Sequence, residues 1–370
     1  MKKFLSLLLA LCLISGTIAC GPAAPQNTVE TPAAPQTDST AVSEAPEPSE
    51  SSESPESSQA SSEQESLYPI TLTDQAGRQV TIDQEPQTLV SGYYISTSLL
   101  LALNLSDRLV GLEAKADKRP VYALSAPALL ELPSVGSAKE FDLEGCAALN
   151  PDLVILPLKL QDAARTLEEL GITVLCVNPE NQTLLEEMID LIASATNTKA
   201  RAQELLSFIG DTQTQLSQTL KNTETPTVYL AGNSSLLSTA GDAMYQADLI
   251  RLAGGTNAAA RIPDSYWAEI DYEQLLAWDP AYIILASDAS YTVEDVLADE
   301  NLASCSAVVN KQVYQMPNHA EAWDSPVPGG ILGAVWLAGV LHPEQISQQD
   351  TESLIDRYYE TFYGFTYSEG

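Results

Sequence analysis

Two stretches 129 residues apart can be laid over each other: FDLEGCAALNPDLVIL, Phe141 to Leu156, and IDYEQLLAWDPAYIIL, Ile270 to Leu285. Six positions are identical, including Asp142 with Asp271, Glu144 with Glu273 and Pro151 with Pro280. Each stretch reads as an Asp cap, a short apolar helix, a proline that cannot continue that helix, and a four-residue apolar strand ending Ile-Leu. A unit repeated in this way predicts two lobes of similar build.

The surrounding sequence extends the pattern. In the first half, TLVSGYY (Thr88 to Tyr94), LVGLEA, DLVILP and ITVLCVN read as strands, with helices over LLLALNL and over AARTLEELG, which Gly171 stops. TVYLAGN (Thr227 to Asn233) restarts the rhythm, followed by a helix near Ala247 to Ala253 and the strands YIILAS and QVYQMP. Short apolar strands alternating with helices predict an α/β fold whose sheets are mostly parallel and covered on both faces. Between the halves, Ala202, Leu205, Ile209, Leu216 and Leu220 recur at helical spacing. The predicted organisation is an N-terminal lobe over 67–198, one long connecting α-helix over 199–222 and a C-terminal lobe over 223–370.

The segment ahead of the lobes has a different character. MKKFLSLLLALCLISGTIAC has two lysines, an apolar run and small residues before Cys20, the make-up of a secretory signal over 1–19. Thr17 to Gly21 resembles a bacterial lipoprotein cleavage box, with Thr17 where such boxes usually carry Leu, so Cys20 is the expected lipidation site. From Gly21 to Ser66 the chain holds nine acids, no base and no aromatic residue. Too little apolar surface is available there to offset the ordering entropy, so 20–66 reads as a lipidated Cys followed by a disordered acidic tether.

With 50 acids against 17 bases the net charge is −33, which makes nucleic acid a poor partner. Cys146, Cys176 and Cys305 show no metal-ligand spacing and read as buried small hydrophobes. HExxH and GxSxG motifs are both absent, and the chain has two His, so an enzymatic reading has no support and no metal site or cofactor is expected.

The chain resembles the lipid-anchored substrate-binding proteins of ABC importers for cobalamin, ferric siderophores and haem, built on two lobes joined by a rigid helix. The resemblance is carried by the order and spacing of ITLTDQAGRQVTI, GYYISTSLLLALNLSDRLVGL, DLEGCAALNPDLVIL, STAGDAMYQADLIRLAGGTNAA, IDYEQLLAWDPAYIIL and LGAVWLAGVLHPE. It implies a monomer on the outer face of the cytoplasmic membrane. Such a protein captures a metal chelate between its lobes and delivers it to a permease and its ATPase. It also implies one surface carboxylate per lobe for docking on permease arginines, which maps onto Glu144 and Glu273. Two alternatives stay open: an oxyanion such as molybdate or tungstate, which some members of this fold class bind, and a ligand-sensing surface lipoprotein.

A ligand between the lobes meets the loops that follow strand carboxyl ends. Those loops supply Tyr93, Tyr94, Lys115 and Lys159 from the first lobe. The second lobe supplies Asn233, Ser234, Tyr266, Trp267, His319, Trp323 and Asp324. Lys139 joins Lys115, Lys118 and Arg119 as a positive wall for an anion, or as a solvated face. HAEAWDSPVPGG, His319 to Gly330, is expected as the last loop of the cleft wall, its Pro and Gly holding aromatic and polar groups toward solvent. His319 either contacts ligand or caps this turn. His342, Trp278 and Trp336 read as structural, and one of Tyr93 and Tyr94 as core.

Overall fold

The computed structural model describes residues 67–263 and 266–369. The signal segment, Cys20 and the tether lie outside the described residues. An antiparallel hairpin of β1 (Ile70–Thr73) and β2 (Gln79–Ile82) precedes the first lobe.

That lobe runs β3 (Leu89–Ser91), α1 (Tyr94–Ala102), β4 (Leu109–Leu112), α2 (Pro120–Ser125), α3 (Leu143–Ala148), β5 (Leu153–Pro157), α4 (Gln161–Glu169), β6 (Val174–Val177) and α5 (Gln182–Thr196). Its four strands form a parallel sheet in the order β4-β3-β5-β6. Every residue of β5 is buried, as a central parallel strand with both faces covered requires.

The 21-residue α6 (Lys199–Thr219) follows, burying Ala202, Leu205, Ile209, Thr212 and Leu216 along one stripe. The second lobe contains β7 (Thr227–Ala231), β8 (Ser238–Thr239), α7 (Tyr245–Leu252), β9 (Thr256–Asn257), β10 (Ala268–Glu269), α8 (Tyr272–Trp278), β11 (Tyr282–Leu285), α9 (Val293–Leu297), α10 (Ser306–Val309), β12 (Val313–Gln315), α11 (Ile331–Leu341) and α12 (Gln348–Phe362). Here β7, β11 and β12 are parallel, β9 pairs with β7, and β8 and β10 add an antiparallel margin.

The sequence repeat becomes two equivalent pieces of structure. Asp142 caps α3 by accepting from the Gly145 N–H at 2.9 Å, and Asp271 caps α8 by accepting from the Gln274 N–H at 2.8 Å. Each helix then feeds an interior strand, β5 or β11. Glu144 and Glu273 are exposed in the first turns of these helices, where the partial positive charge of the helix start favours an acid.

One continuous apolar cluster spans the lobes, joining α1 and α5 to α6, α7, α11 and α12. The chain beyond α12 also returns to the first lobe. The Tyr363 hydroxyl lies 2.9 Å from that of Ser98 in α1, and the Arg201 guanidinium packs over the Phe362 ring at 4.7 Å while its Nε donates to the Ala102 carbonyl at 3.0 Å. The lobes are therefore tied by core packing and by polar bonds in addition to the connecting helix. Cys146, Cys176 and Cys305 are buried and unbridged.

The strand expected over Thr88 to Tyr94 stops at Ser91. The hydroxyls of Ser91 and Ser96 donate to the Tyr93 carbonyl at 3.0 and 2.8 Å and turn the chain into α1. Tyr93 becomes the N-cap residue and Tyr94 the first helical residue, so the strand alternation that would send one ring to the core does not apply. Both tyrosines are half-buried, edge to face at 5.3 Å.

Candidate functional site

The polar floor between the lobes is built from both of them. The Val121 N–H donates to the Ala320 carbonyl at 3.1 Å, joining the start of α2 to the loop ahead of α11. Around this bond lies a small, partly open hollow of ≈ 20 Å³, walled by Tyr94, Ser98, Arg119 and Tyr122 from the first lobe and by Glu321, Ala322 and Val327 from the second. Larger hollows occur elsewhere, such as the ≈ 280 Å³ groove beside Thr212, Leu216 and Arg357. That groove lies among α6, α11 and α12, away from the strand ends where open α/β folds take ligands.

Among the described residues that line the interlobe cavity, Arg119 is the single base. Its guanidinium stands 4.1 Å from the centroid of the Tyr94 ring, and its Nε is buried without a hydrogen-bond partner. Glu113 sits beneath it, 6% exposed, accepting from Thr97 Oγ1 and Tyr122 Oη at 2.7 Å each. Burial pushes the Glu113 carboxyl up, against the pull of those two hydroxyls and of Arg119.

Glu321 comes from the facing loop and is 7% exposed. Its Oε1 accepts from Ser98 Oγ across the lobe boundary, and its Oε2 accepts from Tyr359 Oη at 3.3 Å. Burial raises this carboxyl from the ordinary 4.5 to about 7, opposed by the Ser98 and Tyr359 hydrogen bonds and by Arg119. Tyr359 Oη in turn accepts from Trp323 Nε1 at 2.9 Å.

The HAEAWDSPVPGG loop thus turns inward, correcting the expectation of a solvent-facing wall. Trp323 is 1% exposed, and Asp324, 4% exposed, accepts weakly from the Ser287 N–H at 3.3 Å through Oδ2 while its carbonyl accepts from Gln246 Nε2 at 2.7 Å. Trp323 and Asp324 hold the loop rather than face the cleft. A buried loop is tolerated only where its polar groups find partners, and these do. The glycines make the close approach possible: a Cβ at Gly329 would lie 2.7 Å from Glu321 Oε2, and one at Gly330 would lie 2.1 Å from Tyr245 Oη.

Other expected residues form a rim. Lys159 is exposed after β5, and its Nζ stands 5.6 Å from the centroid of the Tyr266 ring of the opposite lobe. Tyr266 and Trp267 are 59% and 37% exposed, with Trp267 packed over Gly232. Asn233 and Ser234 are exposed nearby, the Asn233 carbonyl accepting from the Ser290 N–H at 2.8 Å. His319 is exposed and meets the Tyr367 ring edge-on at 5.2 Å.

The expected positive wall does not assemble as a unit. Lys115 is exposed in the left-handed region at φ 67°, Lys118 pairs with Asp117 on the surface at 3.0 Å, and Lys139 is exposed in the Ser137–Glu140 turn. Arg119 alone turns into the cavity. His342 is buried with Nε2 3.3 Å from the Gly254 carbonyl, a structural position. Among the described residues, no group of three or more His, Cys, Asp or Glu is placed to hold a metal ion.

Sequence reasoning missed Ser98, Glu113 and Tyr122 as members of the floor, and had Glu321 only as an acid of the HAEAWDSPVPGG loop. The usable signal was a rare base beside a tyrosine, in KADKRPVYAL, close to the acid of LVGLEA.

Two α/β lobes closing on a cavity with one guanidinium define a bilobal protein for small ligands. The chain belongs to the periplasmic binding protein family: the model so described matches residues 89–320. Members are extracytoplasmic substrate-binding proteins that deliver small ligands to ABC permeases, and this chain is such a component.

Two similar proteins, one of them also through its solved structure, define the neighbourhood. The molybdate-binding protein MolA of Haemophilus influenzae is 26% identical over 323 residues, covering 80% of this chain and 91% of that one. A cobalamin-binding protein of Halobacterium salinarum is 24% identical over 258 residues, covering 68% and 67%. The crystal structure of the Haemophilus protein with molybdate superposes with a TM-score of 0.71 at 25% identity, covering 80% of this chain and 98% of that one.

Proposed function

We propose that this component captures an anionic metal species in the interlobe cleft, and that the floor around Arg119 takes a small tetrahedral oxyanion of the molybdate or tungstate type. The observation that carries this reading is Arg119, whose Nε is buried without a partner in the wall shared by the two lobes. A half-buried guanidinium with one enclosed N–H left unpaired can still accept a partner, and its planar fork of donors matches the oxygens of an oxyanion. The similarity to MolA over 80% of this chain supports the same class.

A second reading, an anionic metal chelate such as a ferric siderophore, rests on the rim. Lys159, Tyr266 and Trp267 present exposed cationic and aromatic surface, suited to a bulky ligand that does not enter the floor. Equilibrium dialysis with elemental analysis separates the two. Retention of one molybdate or tungstate per chain, with ferric citrate and cobalamin passing freely, is expected. Retention of a chelate without oxyanion binding contradicts the oxyanion reading and supports the rim.

The proposed setting is a monomer tethered through lipid on Cys20 to the outer face of the cytoplasmic membrane, docking on its permease through Glu144 and Glu273. Metabolic labelling with palmitate, abolished by Cys20→Ala, is the expected result for the anchor.

A further inference from the structure

The floor of the cleft presents a contradiction for an anion site. The cavity that holds Arg119 also holds a buried carboxylate, Glu321, and a dianion placed on the guanidinium would face that carboxylate in a low-dielectric space. Two like charges in such a space do not both stay ionised.

We propose that Glu321 sets the charge the site accepts: a dianion seated on Arg119 is bound together with one proton, which the Glu321 carboxylate takes up from solvent. This rests on the oxyanion reading. Protonated, Glu321 changes from a repelling acceptor into a neutral group able to donate a hydrogen bond. The site then sees one guanidinium and no opposing carboxylate from that wall.

Glu321 is the acid in the cavity wall, whereas Asp324 on the same loop, also raised by burial and acting on Tyr94 and Tyr245, lies outside that wall and accepts from the Ser287 N–H. Arg119 approaches Glu321 from the start of α2, Ser98 from α1, Tyr245 from α7, and Tyr358, Tyr359 and Tyr363 from α12 and the chain just beyond it. Burial pushes all four tyrosines upward, so they remain neutral around pH 7. Burial also places the Glu321 carboxyl at about 7 before any ligand arrives. Glu113, the other acid that Arg119 influences, lies outside the cavity wall behind Tyr122 and has both oxygens engaged at 2.7 Å.

Isothermal titration of the folded protein with molybdate, in buffers of differing ionisation enthalpy, counts the protons. Uptake near one proton per ligand is expected at about pH 8 and much less at about pH 6, where the free protein already carries the proton. Affinity is expected to fall about tenfold per pH unit above neutrality, the slope that uptake of one proton requires. Glu321→Gln is expected to bind with no buffer-dependent heat and a flat pH profile.

Ser98→Ala keeps the acid but removes a hydroxyl that favours its ionised form. It is expected to move the onset of the affinity loss to higher pH, which keeps the test usable if the Gln variant does not fold. Binding without proton uptake, uptake retained in Glu321→Gln, or uptake lost in Glu113→Gln instead would overturn the assignment while leaving the oxyanion reading intact. No heat with any oxyanion removes that reading, and this inference falls with it.

Discussion

The floor and the rim of the cleft use the same side-chain types in opposite ways. In the floor, Arg119 lies over Tyr94, Glu321 is enclosed by hydroxyls, and Trp323 spends its indole N–H on Tyr359. At the rim, Lys159 approaches Tyr266 through solvent and Trp267 is over a third exposed. A cation near an aromatic ring is worth roughly 0.5–1 kcal/mol at exposed sites and about 2 kcal/mol or more when desolvated. The floor is therefore where charge is costly and selective, and the rim is where contact is cheap and replaceable.

The comparison breaks most readily at Trp323. Trp323→Ala removes a side chain that is 1% exposed and is expected to cost about 3–5 kcal/mol in denaturant unfolding. Trp267→Ala is expected to stay within about 1 kcal/mol of the parent, and equal losses would remove the distinction between the regions.

Next in size is the acid in the floor. Glu321 is raised on folding from 4.5 to about 7. A raised acid contributes stability that is fully present below 4.5 and lost as pH rises through 7, so the protein loses roughly 3 kcal/mol from this group across that window. Glu321→Gln is expected to become progressively more stable than the parent over the same interval in thermal scans. A constant difference between the two proteins would show that the carboxyl does not titrate there.

Smaller effects belong to the rim. Lys159→Met is expected to weaken oxyanion binding less than about threefold, since it alters an exposed interaction of under about 1 kcal/mol. The smallest concern the paired acids of the repeat. Glu144→Ala with Glu273→Ala is expected to cost about 0.3–1 kcal/mol of stability each and to leave ligand affinity unchanged, while binding to permease-containing vesicles is lost. Unchanged vesicle binding would reject the docking role.

The sequence carried the framework because strand burial and helix capping are local. DLVILP and YIILAS announce interior strands by composition alone, and the Asp caps of α3 and α8 sit beside the amides they bind. The floor was not legible in the same way. Glu321 meets Ser98 across 223 residues, and Trp323 meets Tyr359 across 36, so nothing near either residue signals its partner. A Pro- and Gly-rich run ordinarily marks an exposed loop. Here Gly329 and Gly330 instead admit Glu321 and Tyr245 where a Cβ would collide. Arg119 was visible as a scarce base, yet which of four neighbouring bases turns inward depends on how α2 meets the opposite lobe.

The most direct test of the central claim is calorimetric binding of molybdate to the wild-type chain and to Arg119→Met, with circular dichroism to verify the fold of each. Loss of a charge-assisted hydrogen bond of about 1.5–3 kcal/mol predicts roughly 10- to 150-fold weaker binding by the variant. Equal affinity in a folded variant would contradict the account and move the ligand away from the floor of the cleft.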